Sequence, residues 1–164
     1  MVEFAIKHMM FSTVKGRFGE VSGELFLDAE EPERSSVRAA VNVASIDTNE
    51  PQRDAHLRSP DFFDVANFPT ISFVSKRVQR TGEARALVIG DLTIRGVTRE
   101  VAFDTTFLGR GNDPWGKMRV GFSASTTINR SDFGLQWNVA LEAGGFLVGD
   151  TVKINLEVEA VKKD

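Results

Sequence analysis

The sequence predicts an all-β, antiparallel fold. Apolar and polar residues alternate with a period of two through most of the 164 residues, which puts them on opposite faces of strands. Each run is dry on one face only, as in antiparallel sheets and unlike doubly covered parallel ones. Long amphipathic helical stretches, which would cover the sheet of an α/β fold, are missing.

The elements follow in order. Val2, Phe4, Ile6, His8 and Met10 share one face of the first strand, opposite Glu3, Lys7 and Met9. The next pairing segment, residues 14–28, breaks alternation at Gly16, Gly19 and Gly23, where bulges and sharp bends belong. Val37, Ala39, Val41 and Val43 alternate again, and Ile71, Phe73 and Ser75 resume after an interruption at residues 50–69. Thr81-Gly82 leads into Ala84, Ala86, Val88, Gly90, Leu92 and Ile94, and Arg95-Gly96 marks a tight hairpin before Val101, Phe103, Thr105 and Phe107. Asn112-Asp113-Pro114-Trp115-Gly116 marks another before Met118, Val120, Phe122 and Ala124, and the last strand holds Val152, Ile154, Leu156, Val158 and Ala160. About eight half-dry strands must bury those faces together, as a two-layer sandwich or a closed barrel. The small inward residues Ala39, Ser75, Ala86, Gly90, Ala124 and Thr126 suit either a ligand cavity or a tapering, filled interior.

Length and the absence of repeats or linkers assign residues 1–164 to one domain. A net charge of -3 spread in both signs disfavours nucleic acid as a partner. The chain has no Cys, which removes disulfides and thiolate chemistry. The opening residues MVEFAIKHMM are too short and too charged for a signal-peptide core, and no run is long enough to span a bilayer. A cytoplasmic location is expected for the chain as given, and a periplasmic one if the natural N-terminus is longer.

The interruption, EPQRDAHLRSPDFFDVANFP, gathers Arg53, Asp54, His56, Arg58, Asp61 and Asp64. Asn49 with Gln52 reads as a capping box and Pro51 falls in the first turn, so a short helix is expected here. Asp54 and Arg58 are spaced to pair on its surface, with Ala55 and Leu57 facing the sheet. Pro60 ends the helix at Ser59, which caps a second turn. Phe62, Phe63 and Phe68 give the segment the apolar underside of a lid. A second polar and aromatic segment, residues 129–138, offers Arg130 or Asn138 to hold a polar head, with Phe133 and Trp137 at a pocket entrance; the plainer reading is a loop capping the other barrel end. Leu141 to Val148, with Gly144-Gly145, reads as a mobile apolar connection. The two His residues, His8 and His56, lack metal-binding spacing, and no nucleophile-elbow, phosphate-loop or dinucleotide motif occurs. No metal or cofactor is expected.

The segments FAIKHMMFSTVKGRF, ASIDTNEPQRDAHLRSPDFFDVANFPTISFVS, GDLTIRGVTREV, DPWGKMRVGFSASTTINRSDFGLQWN and LVGDTVKINLEVEA resemble the YceI-like polyisoprenoid-binding proteins along almost the whole chain. The resemblance implies an eight-stranded, lipocalin-like antiparallel barrel with short helical connections. It implies a binder or carrier whose tunnel holds a polyisoprenoid lipid, either a prenyl quinone, an alcohol or a pyrophosphate, and a possible homodimer. Relatives usually carry an Asp-x-x-His-Ser segment before the first strand, inside which this chain begins. The lining residues expected are Phe4, Ile6, Val41, Val43, Ile71, Phe73, Phe103, Phe122 and Leu156; the head-group or rim residues are His8, Arg53, His56, Arg58, Arg130, Trp137 and Asn138. The rival reading is an isomerase or cyclase acting on an apolar substrate, with His8 or His56 as acid or base.

Overall fold

A computed structural model describes residues 1–139, 141 and 147–163. Its strands are β1 (Val2–His8), β2 (Ser12–Phe18), β3 (Val21–Phe26), β4 (Ser36–Asn42), β5 (Ile46–Asp47), β6 (Thr70–Gly82), β7 (Arg85–Ile94), β8 (Val97–Asn112), β9 (Met118–Asn129) and β10 (Val148–Val161), with one α-helix, α1 (Pro51–Arg58). They form one ten-stranded sheet in the order β3-β4-β6-β7-β8-β9-β10-β1-β2-β5. All the pairings are antiparallel.

Two bends close that sheet into a barrel. β2 runs into β3 through Gly19 and Glu20, and β4 runs into β5 through a single 3-10 turn, Val43–Ser45. Phe18 pairs with Ile46 beyond the bend, and Val21 pairs with Val41 before it. Each pair of segments is therefore one long bent strand, so the ten become eight, as the alternation predicts. Backbone bonds fasten the corner: Gly19 N donates to Ser45 O at 3.3 Å, and Asn42 N to Glu20 O at 2.9 Å. Closure is complete around the lid end, whereas toward the other end β3 pairs only with β4 and β10 beyond Leu156 pairs only with β9 among the described residues.

One end of the barrel is plugged. Phe18, Val43, Ile46, Leu92, Ile94, Ile128, Phe133 and Leu135 are buried together there, with Leu57, Phe63 and Val65 of the helical connection packed on them. Val43 is only 1% exposed, but it belongs to this plug rather than to the cavity wall, because the 3-10 turn takes it off the β4 alternation. Hydrogen bonds from Arg95 Nη1 to Gly134 O at 3.2 Å and from Arg99 Nε to Asp132 O at 3.1 Å tie the β7–β8 hairpin to a second 3-10 turn, Arg130–Phe133. That hairpin has φ of 50° at Arg95 and 74° at Gly96, the paired positive values of a tight two-residue turn.

The helix starts one residue later than its expected cap. Pro51 occupies the first helical position, so the cap falls on Glu50, whose carboxylate accepts from Gln52 N at 3.3 Å and Arg53 N at 2.6 Å. Asp54 does not pair with Arg58. It is buried and accepts from Thr48 N at 2.9 Å and Thr48 Oγ1 at 2.5 Å. Leu57 packs on the plug as expected, whereas Ala55 is exposed. Ser59 ends the helix and accepts from Phe62 N at 3.0 Å and Asp64 N at 2.9 Å through its carbonyl.

Candidate ligand cavity

The inward faces of the strands do not meet in the middle. They enclose a cavity of about 1690 Å³, beyond the roughly 300–1,000 Å³ of ordinary small-molecule pockets. Of the expected lining residues, Phe4, Ile6, Val41, Ile71, Phe73, Phe103, Phe122 and Leu156 all line it. Ala39, Ser75, Ala86 and Ala124 line it too, so small inward side chains do leave room. Gly90 and Thr126 do not contribute. At Gly90 the reason is close approach: a Cβ there would lie 2.3 Å from Val74 O and 2.8 Å from the Phe73 ring.

At the plugged end, the two polar and aromatic connections cap the same end rather than opposite ones. His56 stands edge-on to Trp137 with ring centroids 4.6 Å apart and to Phe62 at 5.1 Å, and Phe62 meets Trp137 at 5.3 Å. All three rings touch the cavity, as a lid would. His56 Nε2 is 2.8 Å from Asp61 Oδ2. His8 also reaches the cavity wall, opposite Val148 across the β1–β10 irregularity.

The arginines expected at the head group also fasten the loops around the lid, and Arg53 and Arg130 line the cavity as well. Arg130 is 3% exposed and donates to Gly149 O at 2.7 Å, Leu135 O at 2.6 Å and Trp137 O at 2.9 Å. Burial pushes its pKa below the usual arginine value, opposed by Asp150 at 3.9 Å. Arg53 lines the cavity, but its Nε donates to Thr48 Oγ1 at 2.8 Å and its Nη2 to Thr48 O at 2.7 Å. Arg58 and Asn138 lie off the cavity wall. Arg58 donates to Ala44 O and Ile46 O, both at 3.1 Å, and Asn138 bridges to Val148 N and O at 3.0 and 2.7 Å. The physical reason is common to all four: these loops leave backbone carbonyls that the sheet cannot satisfy, and long polar side chains supply the donors. Phe133, expected at the entrance, is 2% exposed and sits in the plug.

The opposite end is a wide mouth ringed by Leu25, Phe26, Phe107, Val120 and Val158, with Arg80 and Arg110 on its wall. Neither arginine follows from the alternation. Register shifts between Ser75 and Arg77 in β6 and between Phe107 and Gly109 in β8 move the inward face from odd to even positions. Bulges of this kind are visible only once strands are paired. Arg80 donates to Gly82 O at 3.1 Å and Glu83 O at 3.3 Å. Beside the mouth, Lys163 and Arg38 hold the Glu24 carboxyl well below its ordinary value, at about 2. Among the described residues, no group of three His, Cys, Asp or Glu side chains is placed to hold a metal, and no helix is long and apolar enough to cross a membrane. Most of the Leu141 to Val148 connection lies outside the described residues.

An antiparallel barrel with an apolar cavity, lidded at one end and open at the other, defines the class as a hollow, lipocalin-like β-barrel. The chain belongs to the YceI-like domain family, whose model matches residues 1–160. A UPF0312 protein of Pseudomonas putida (strain W619) is 40% identical over 162 residues, 99% of this chain and 81% of the relative, and one of Pseudomonas fluorescens (strain SBW25) is 41% identical over the same shares. Among solved structures, the YCEI protein of Campylobacter jejuni superposes with a TM-score of 0.81 at 31% identity, covering 97% of this chain and 91% of that one. A polyisoprenoid binding domain from Saccharophagus degradans shares the fold, with a TM-score of 0.74 at 13% identity over 99% and 93% of the two chains.

Proposed function

We propose that the protein binds a long-chain polyisoprenoid lipid in its barrel and acts as a carrier or reservoir. The observation that supports this most is the preformed apolar cavity of about 1690 Å³. Burial of each CH2 contributes roughly 0.8 kcal/mol, so a chain of several isoprene units binds strongly without any catalytic group. The branched methyls of such a chain suit a wall of Phe, Val, Ile and Ala. The description of the Saccharophagus relative as polyisoprenoid binding agrees with the same chemistry.

The head group, whether quinone, alcohol or pyrophosphate, would sit at one end of the cavity. His8, Arg53, His56 and Arg130 at the lid and Arg80 with Arg110 at the mouth are among the polar side chains that line it. A homodimer is not needed for this function. Organic extraction of the purified protein followed by mass spectrometry tests the proposal: a prenyl lipid in the extract supports it, and a cavity that takes up no prenyl quinone, alcohol or pyrophosphate when these are offered rejects it.

A further inference from the structure

The β1–β2 turn is built against the usual rules for a tight turn. Met9 and Met10 both adopt positive φ, 52° and 67°, a conformation that Gly, Asn or Asp would normally supply. Their side chains and that of Phe11 then point to solvent, with exposures of 46%, 57% and 87%. Three successive apolar residues are thus displayed on a strained tip. The tip borders the lid, since Met9 N donates to Leu147 O at 2.7 Å and Leu147 and the neighbouring His8 both line the cavity.

The outer face beside this tip is cationic. Ala5 pairs with Lys15 on one side and Lys153 on the other, and Lys7 lies two residues further toward the tip. Lys7 donates to Thr13 Oγ1 at 2.9 Å, which keeps it on the same face as Lys15. None of these three lysines has an ion pair among the described residues. Glu3 and Asp47 flank Arg17 instead, and Asp150, in the β10 irregularity across from Lys7, lies 3.9 Å from Arg130 Nη2. An apolar tip beside a row of unpaired cations matches the surface of an anionic bilayer, whose acyl boundary takes the one and whose phosphates attract the other.

We infer that Met9, Met10 and Phe11, with Lys7, Lys15 and Lys153, form a docking surface for an anionic lipid bilayer. It rests on the lipid-carrier reading for its purpose, because a carrier has to meet the membrane that holds its cargo. It brings the lid end of the barrel to the lipid.

Flotation of the full chain with vesicles of phosphatidylcholine alone, and of phosphatidylcholine with phosphatidylglycerol, tests it. The protein is expected to float with the anionic vesicles, and Lys15→Gln and Lys153→Gln each to weaken partitioning about fivefold. The triple variant Met9→Asn, Met10→Gly, Phe11→Ser should lose at least about tenfold while its Tm rises, since Asn and Gly accept the positive φ. That rise excludes misfolding as the cause. Equal flotation of the triple variant, no flotation of the natural chain, or loss of self-association in place of loss of vesicle binding would overturn the proposal. Isoprenoid extracted from a protein that never floats removes the docking surface alone. Flotation of a protein that takes up no isoprenoid supports the surface and removes the carrier reading.

Discussion

The two ends of this barrel use the same side-chain types for opposite purposes. At the lid end, Arg130, Arg53, Arg58 and Asp54 are turned inward or against the backbone and satisfy loop carbonyls and amides, while Phe133 and Phe18 fill the space between them. At the mouth, Arg80 and Arg110 border an open apolar volume, Phe26 and Val158 are exposed, and the ion pairs of Glu24 lie in solvent. Polar burial with full hydrogen bonding gives a rigid, fixed closure. Apolar surface without filling gives a binding volume. Charge at the lid end is buried against backbone, whereas at the mouth Arg80 holds its own turn through Gly82 O and Glu83 O while still bordering the open volume.

If the lid end is held by its buried donors, Arg130→Ala should break it most severely. Loss of about 3–5 kcal/mol is expected, as for other buried charged groups whose partners are stranded, read by chemical denaturation, with Arg130→Lys recovering only part because one ammonium cannot reach the four carbonyls of Leu135, Trp137, Val148 and Gly149. Phe133→Ala, in the same plug, should cost about 3–5 kcal/mol. Within the cavity the expectation reverses. Ala124→Trp places a large ring in empty space, so stability should change by less than about 1 kcal/mol while lipid uptake falls at least about tenfold; a loss of stability with unchanged uptake would mean that the interior is already filled. The smallest effect belongs to the mouth. Because Lys163 and Arg38 lower the folded-state pKa of Glu24 to about 2 from 4.5, its contribution is complete above pH 4.5 and is lost as pH falls toward 2. Glu24→Gln should flatten that acid limb without altering thermal stability of the lid, as tracked by Trp137 fluorescence.

Period-two alternation was enough to read the sheet, its antiparallel sense and eight of the wall residues, because closure forces each dry face inward. It stopped being enough at the irregularities. Val43 left the wall at a 3-10 turn, and Arg80 and Arg110 entered it through bulges, which shift parity without changing composition. The helical lid was legible from Pro51, Ser59 and Pro60, down to the turn at Ser59. The roles of its charges were not, since Asp54 and Arg58 at helical spacing look like a surface pair whether or not Thr48 and the carbonyls of Ala44 and Ile46 lie nearby. Those partners come from residues brought close only by the fold.

The barrel is hollow, and the proposed occupant of that hollow is an isoprenoid chain. Native mass spectrometry of the purified protein, before and after extraction with organic solvent, tests it most directly. A mass increment that vanishes on extraction and reappears in the extract as a series spaced by isoprene units is the predicted result. An unliganded protein that stays unliganded when long-chain prenyl quinone, alcohol and pyrophosphate are supplied would contradict it.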